Sequence, residues 1–459
     1  MSPTVNKTMG RRSSLSPRVV LWTLLSAAIS IAWAYSTSRA DQGGFVDFRA
    51  IYFSARVALL SHDPYDQSEF LQVYRQEGGT YPTDPESLRN FRRAVPLCVN
   101  LPSTLFMVAP FAQAPWRVSH RLWMILMSAG LLIASWLVLD LGSCRRQGVG
   151  LFAICVLLAN CEVVFRLGNV SLIAVSLLCF SIWCFAREKY VSLAVICLAI
   201  SLTVKLQEVG LVWFYFFLVG GVHRKRALQS LGISLVLTLV SVAWMTSVSP
   251  HWLQELHSNV LATTAKGDLN DPGPTGLGMI VSLQSVVSYI WEDPTIYNSV
   301  SYLLVGSLIV AWIIITLRSE YSNDTAWLAL ASIAALSMLP VYHRQYDLKL
   351  LLLTIPPATM LLAEGRRIGR VAIVVTTLGI ILTADIPLAA LLVLNKSLHL
   401  RQDRLGGEIA SIFLARTPTL VLLFEGIFYL CLYASHARPR KRRVDRKAEE
   451  VFELVTASS

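Results

Sequence analysis

Charged residues are scarce in this chain of 459 residues, since Asp, Glu, Lys and Arg together make up only 15% of it. Soluble domains carry about 25% charged residues, so the composition excludes an ordinary soluble protein. Long apolar runs recur along the chain instead, and about 20 mostly apolar residues suffice for a helix to cross a bilayer. We therefore predict an all-α polytopic membrane protein.

Paired cysteine motifs are also missing. The chain has eight cysteines, most of them inside apolar runs, with no CxxC motif and no paired loop spacing. Nothing in this pattern indicates a disulfide framework or a metal site, and we expect neither a metal nor a cofactor. A convincing small-x-small cleavage site is absent after the first apolar run, so residues 19–36 are predicted to stay as the first membrane helix.

Positive charge is concentrated at the two ends of the chain, which has a net charge of +11. Cytoplasmic segments of membrane proteins collect Lys and Arg, so we attribute the charge to topology rather than to nucleic-acid binding. Contact of the basic C-terminal tail with anionic membrane lipid is a second interpretation. Residues 1–18 and 435–459 are predicted cytoplasmic tails around a transmembrane domain, 19–434, with an even number of crossings.

The run 190–219 decides the predicted topology. As one helix it would be about 45 Å long at ~1.5 Å per residue, too long for a ~30 Å hydrocarbon core. It has "KLQE" at its centre and basic residues at both ends, so we predict two short helices with "KLQE" at the outer turn. The positive-inside rule then gives about twelve transmembrane helices, although the basic loop 395–404 falls outside against the rule.

A large first extracytoplasmic loop, residues 37–116, follows the first membrane helix in this topology. Its segment "IYFSARVALL" has helical spacing of apolar residues and predicts an amphipathic surface helix. The Pro-rich segment 96–115 predicts a second surface or re-entrant helix. The loop therefore places Asp47 just outside the first crossing.

Polar groups from distant parts of the chain converge on this predicted outer face, which suggests a site. They are Asp47, "DPYD" (63–66), "RLGN" (166–169), "KLQE" (205–208), "HSN" (257–259), "NDPGPTGLG" (270–278) and "YHRQYD" (342–347). The Gly/Pro-rich stretch among them is interpreted as a mobile loop over the site.

Asp47 fits either an ordinary loop acid or a general base, which needs an acceptor hydroxyl within hydrogen-bond distance. His343 and Arg344, with Lys205 on the same face, would make a good anion cradle, because Arg presents a fork to phosphate oxygens. Arg344 as a snorkelling residue and Lys205 paired with Glu208 are the structural alternatives. Further candidates for substrate contact are Arg166, Asn169, Glu208, Tyr346 and Asp347.

One base beside a phosphate cradle points to a specific kind of chemistry. Glycoside hydrolysis commonly uses two carboxylates, one of which protonates a poor leaving group. A sugar on a lipid phosphate has an anionic leaving group, which needs cations rather than an acid. A single carboxylate then suffices to activate the acceptor, and the lipid tail accounts for the membrane location.

Several segments resemble glycosyltransferase family 87 in the order expected over about residues 20–365. "DFRAIYFSARVALLSHDPYD" is similar to the acidic signature that opens the family, and "RLGNVSLIAVSLLCF" to its Leu-Gly-Gln-x-Asn segment. "LAISLTVKLQEVGLVWFYFFLVGGVHRKR" and "SMLPVYHRQYDLKLLLLTIPPATMLL" resemble its Lys-x-x-Pro and Pro-x-x-x-His segments. The chain departs from the pattern at Gly168-Asn169, which has no Gln between, at "KLQE", which lacks the Pro, and at Arg344.

The resemblance implies a GT-C fold and transfer of a hexose, typically mannose, from a polyprenyl-phosphate sugar with inversion. It implies Asp47 as the base and His343 near the donor phosphate. The acceptor would be a lipid or glycan at the outer face of the bacterial cytoplasmic membrane. Two other classes stay open: a transporter or flippase, which would place ionisable residues near mid-membrane and often show internal repeats, and a non-catalytic assembly protein.

Overall fold

A computed structural model of the chain describes residues 16–40, 45–77, 97–142, 146–268, 270–273, 280–387, 389–390, 393, 413–414 and 416–439. Most of both basic tails, most of the "NDPGPTGLG" loop and the basic loop 395–404 lie outside these residues. The predictions for those segments therefore stay predictions.

Helices make up nearly all of the described regular structure. They are α1 (Pro17–Ala40), α2 (Val46–Leu59), α3 (Gln67–Gln76), α4 (Pro102–Ala112), α5 (Trp116–Leu141), α6 (Gln147–Ala159), α7 (Glu162–Leu167), α8 (Ser171–Arg187), α9 (Val191–Val204), α10 (Leu206–Val219), α11 (Gly221–Val248), α12 (Trp252–Thr264), α13 (Gln284–Val287), α14 (Pro294–Arg318), α15 (Asn323–Leu336), α16 (Ile355–Ala363), α17 (Arg367–Leu382) and α18 (Thr417–His436). A 3₁₀ helix, Gln345–Thr354, runs directly into α16. Two short strands, β1 (Ile280–Val281) and β2 (His343–Arg344), pair antiparallel.

Six stretches of the described residues are long and apolar enough to cross a membrane, and five shorter apolar helices accompany them. In the most apolar window of α11 only 17% of residues are buried, whereas 83% are buried in the window at 345–363. Apolar residues exposed on α11 have lipid as their natural partner, and 345–363 forms the centre of the bundle. The protein is an all-α polytopic membrane protein, as predicted; the number of twelve crossings stays a prediction.

The run 190–219 folds as two short helices, α9 and α10, with Lys205 at the turn between them, as predicted. The Lys205 backbone is extended rather than helical, with φ −151° and ψ 72°. Side chains of α4 complete the end of α9, since Ser103 and Thr104 donate to the carbonyls of Thr203 and Val204. The last carbonyls of a helix have no partner within it, so α4 stabilises this break.

The two helices run in opposite directions. Ser201 donates to the carbonyl of Ala174, at the start of α8. At the far end of the bundle, the rings of Phe185 and Phe216 lie 5.5 Å apart, so α10 has returned beside the end of α8. Lys205 and the N-terminus of α8 therefore share one end of the bundle, which we call the Lys205 end.

Two elements differ from the sequence-based prediction. The predicted surface helix is present as α2, but nine of its fourteen residues are buried. Phe48 stacks on Trp123 of α5 with ring centroids 4.5 Å apart, so aromatic packing places this helix in the protein core. The run 149–165 divides into α6 and α7 at Asn160, whose side chain turns back to the carbonyl of Val156.

Candidate active site

The "RLGN" turn brings Asn169 against the start of α2. Gly168 ends α7 in the left-handed region, with φ 69°, which favours glycine. A Cβ at this position would lie 2.8 Å from the Cβ of Phe48, so only glycine permits α2 to approach this closely. The carbonyl of Gly168 accepts a hydrogen bond of 2.8 Å from the Trp123 indole. This packing fixes the residue that follows, Asn169.

Asp47 lies in the first turn of α2 and is half-buried. Its Oδ2 accepts a hydrogen bond of 2.6 Å from the Asn169 amide. Burial raises the pKa of Asp47 above its ordinary value, and the charge of Arg344 and the Asn169 hydrogen bond offset this only in part. A carboxylate with a raised pKa is a stronger base than one in water, and this one keeps some exposed surface.

Asp347 is the hub of the site and is almost fully buried. Its Oδ1 accepts hydrogen bonds from Lys205 and, at 2.6 Å, contacts the Ser171 hydroxyl. Its Oδ2 lies 3.1 Å from His343 Nδ1 and accepts the backbone N–H of Arg344 at 2.9 Å. A buried carboxylate needs such partners, because an unpaired buried charge is costly. Asp347 therefore joins three segments that are distant in sequence.

Lys205 is paired on two sides. Its ammonium contacts Asp347 and lies 3.6 Å from Glu208, which is fully buried. It also lies 4.9 Å from the centroid of the Tyr346 ring, within cation–π range. The predicted Lys205–Glu208 pair therefore exists, but the shorter contact is to Asp347, so Lys205 also connects the α9–α10 turn to the 3₁₀ helix.

Arg344 is the partly exposed cation of the site. Its guanidinium donates to the Tyr342 hydroxyl and, at 2.8 Å, to Asn270 Oδ1. The pKa of Arg344 is raised: burial lowers it, and the neighbouring Tyr342 and Asp47 outweigh that effect. Pairing of β2 with β1 holds the backbone of Arg344 opposite Ile280. A cation fixed in this way beside Asp47 is available to an anionic ligand.

His343 occupies a different place from the one that its sequence context suggests. It has no exposed surface, and its Nδ1 faces Asp347. Its Nε2 is buried without a hydrogen-bond partner. In this conformation His343 lies behind Asp347 rather than against a space that a phosphate could enter, because the strand β2 turns its ring toward the bundle.

Arg166 is the candidate that the fold turns away from the other site residues in its closest contact. Its Nε donates to Glu162 at 2.7 Å, and the same carboxylate oxygen accepts from Thr37 of α1. Only its backbone carbonyl faces the site, where it accepts the N–H of Phe45. The "RLGN" segment therefore contributes Asn169 to the site and uses Arg166 to hold α7 against α1.

Sequence analysis missed Ser171, Asn270 and Tyr342 as individual site residues. Tyr342 was inside a quoted motif, and Asn270 began one. Ser171 carried a weak signal, since it lies two residues after Asn169 at the start of a helix, where side-chain oxygens commonly bind backbone N–H groups. Its contacts with Asp347 and Lys205 depend on the fold alone.

The "DPYD" acids have the turn-forming role that was predicted for them. Asp63 accepts the backbone N–H of Tyr65 at 2.9 Å, and Asp66 is the N-cap of α3, accepting the N–H of Ser68 at 2.7 Å. Asn259 of α12, in the "HSN" stretch, donates to the carbonyl of Tyr65 at 3.0 Å. These groups fold the first loop and lie apart from the Asp47–Asp347 network in all of their printed contacts.

Among the described residues, no group of three His, Cys, Asp or Glu side chains has the geometry of a metal site. The arrangement is instead a half-buried carboxylate beside two cations. It can accept a proton at Asp47 and attract an anion at Arg344.

Comparison with known families decides the class. Residues 100–342, more than half of the chain, match the model of glycosyltransferase family 87. The chain belongs to glycosyltransferase family 87. The matched region of this family 87 protein contains Asn169, Ser171 and Lys205, whereas Asp47 precedes it and His343 follows its last residue directly. No curated protein sequence and no solved structure gives a significant match.

Proposed function

We propose that this family 87 glycosyltransferase moves a hexose, with mannose as the first expectation, from a polyprenyl-phosphate sugar to a lipid or glycan acceptor. The observation that carries the proposal is the partly exposed carboxylate of Asp47 beside the fixed cation of Arg344. A base and an anion-binding group are the two parts that this transfer requires. The GT-C fold implied by the family resemblance is consistent with the all-helical bundle.

The reaction is a single displacement at the anomeric carbon. The acceptor hydroxyl gives its proton to Asp47 as its oxygen forms the new bond to the sugar. The bond from the anomeric carbon to the phosphate oxygen breaks, and polyprenyl phosphate leaves with the electron pair. Attack from the face opposite the leaving group inverts the anomeric centre. Arg344 and Lys205 stabilise the charge that develops on the phosphate.

The donor phosphate is proposed to contact Arg344 and Lys205 directly, with His343 acting through Asp347. A charge-assisted hydrogen bond contributes about 1.5–3 kcal/mol, so Arg344→Ala should weaken donor affinity roughly ten- to a hundredfold. His343→Ala should also weaken it, by a smaller factor, because its ring only positions Asp347. Donor affinity is measured by equilibrium binding of labelled polyprenyl-phosphate sugar. Unchanged affinity in both variants would move the phosphate site elsewhere.

Transfer is proposed at the extracytoplasmic face of the bacterial cytoplasmic membrane, with both tails cytoplasmic. The distribution of Lys and Arg supports this orientation, and the polyprenyl tail supports a site at the membrane surface. An impermeant thiol reagent added outside should label cysteine at Ser68→Cys, an exposed position in α3, and leave Ser14→Cys unlabelled. The reverse pattern would overturn the orientation and with it the outer site.

A transporter or flippase is the alternative function. Such proteins place ionisable residues near mid-membrane and often carry internal repeats, whereas the family match favours transfer chemistry. The deciding experiment incubates purified protein with radiolabelled polyprenyl-phosphate mannose or glucose and a membrane lipid extract. Labelled lipid or glycan product supports the proposal. Absence of product with every donor, together with movement of labelled lipid across vesicles, would establish the alternative.

A further inference from the structure

Asn169 has one orientation that its surroundings allow. Its Oδ1 accepts the backbone N–H of Ser171 at 2.9 Å, and a backbone N–H can only donate. The side-chain NH₂ must therefore be the group that faces Asp47 Oδ2 at 2.6 Å. Since NH₂ can only donate, Asp47 must accept in this contact, which favours its ionised form.

Ser171 adds a second, adjustable contact. Its hydroxyl is fully buried and lies 2.6 Å from two oxygens, Asn169 Oδ1 and Asp347 Oδ1. The ammonium of Lys205 donates to the same hydroxyl oxygen. The hydroxyl has one hydrogen, so it serves one of the two oxygens at a time. The backbone N–H, in contrast, holds Asn169 whichever oxygen the hydroxyl serves.

We propose that Asn169 and Ser171 are positioning residues, forming a hydrogen-bond relay that fixes Asp47 as an acceptor and connects it to the ion pair of Asp347 and Lys205. This inference rests on the proposed role of Asp47 as the base. It gives Asn169, listed above as a candidate for substrate contact, a role within the protein instead. It also ties the base to the side of the site where the donor phosphate is expected.

The relay makes a specific prediction for Asn169→Asp, which replaces the donating NH₂ by an oxygen of the same size. Two carboxylates at this distance cannot both be ionised, so they share a proton. The other groups that act on Asp47 stay in place; they are Arg344, Lys205, Asp347, Tyr342 and Tyr346. The acid limb of the rate profile should therefore move up by at least about one pH unit, while donor affinity changes little.

Ser171→Ala should have a smaller effect, because the backbone N–H that orients Asn169 remains. Loss of one neutral hydrogen bond should slow transfer about two- to tenfold and move the acid limb in the same direction. Ser176→Ala is the matched control. Ser176 is buried on the same helix, but its hydroxyl donates to the carbonyl of Leu172 at 2.7 Å, so rate and pH profile should match the wild type.

A second measurement separates the relay from the proposed function. A carbodiimide couples an amine to protonated carboxyl groups, and mass spectrometry of the peptide that contains Asp47 follows its labelling against pH. Labelling should persist to higher pH in Asn169→Asp than in the wild-type protein. Coincident labelling curves in the two proteins would overturn the relay even if transfer is observed. Shifted curves without transfer from any polyprenyl-phosphate sugar would support the relay and overturn the proposed function.

Discussion

In Asp47→Asn, the carboxylate proposed as the base becomes an amide of nearly the same shape. The new amide oxygen can still accept the hydrogen bond that Asn169 donates to Asp47 Oδ2. The stacking of Phe48 on Trp123, which holds this turn of α2, does not involve the changed atoms. The variant should therefore insert, fold and bind donor like the wild-type protein.

The expected loss is confined to the transfer step. Removal of a general base typically slows a reaction about 10²–10⁴-fold, which corresponds to about 2.7–5.4 kcal/mol in the barrier at 1.36 kcal/mol per tenfold. The raised pKa of Asp47 makes it a stronger base and favours the upper part of this range. The acceptor hydroxyl is then attacked by no other side chain with an exposed carboxylate in the network described above.

The assay measures single-turnover transfer from labelled polyprenyl-phosphate sugar, together with equilibrium binding of the same donor. Asp63→Asn is the matched control, since Asp63 is also a half-buried acid of the first loop. Its contacts with Tyr65 and Ser249 indicate a structural role, so its loss should affect loop order and slow transfer far less.

Near-normal turnover in Asp47→Asn would refute the assignment. Asp347 and Glu208 would then be the next candidates on the same network. Both are buried beside Lys205, so either could act only after a rearrangement that separates it from the lysine. Slow turnover with lost donor binding would instead indicate a folding defect, which the binding measurement detects.

Two further predictions concern the scaffold of the site. Gly168→Ala should destabilise the protein by at least about 1–2 kcal/mol, since a left-handed residue is strained and its Cβ would meet Phe48; thermal unfolding tests this, and Gly148→Ala, with open space around it, should change little. A hydrogen bond with Asp63 raises the pKa of Glu255 to about 7 from its ordinary 4.5. The folded protein therefore binds this proton more tightly, so the contact weakens as pH rises through that interval. Hydrogen exchange in α12, corrected for intrinsic rate, should rise in wild type but not in Glu255→Gln; equal pH dependence would contradict this.

Much of the site could be predicted because membrane topology restricts polar residues. Lys205 interrupts an apolar run that is too long for one crossing, so it had to lie at a turn. Asn169 and His343 follow apolar runs in the same way. Once the turns are placed on one face, these residues must be near one another, whatever separates them in sequence.

The pairing within the site could not be predicted. Lys205 and Asp347 are 142 residues apart, and the local sequence offered Glu208 as an equally good partner. The choice depends on the 3₁₀ helix, which aims Asp347 at the α9–α10 turn. The burial of α2 was missed for a related reason: its exposed-looking spacing gives no sign of the aromatic side chains of α5 that cover it.

The proposed reaction moves charge within the site without changing its total. Before transfer Asp47 is ionised and the donor phosphate is a diester with one negative charge. Afterwards Asp47 holds the acceptor proton and the phosphate has become a monoester with an additional charge. The negative charge has thus moved from Asp47 toward Arg344 and Lys205. Asn169, Ser171 and Asp347 join these two places by continuous hydrogen bonds, so the same network can accommodate both charge distributions without a buried charge losing its partner.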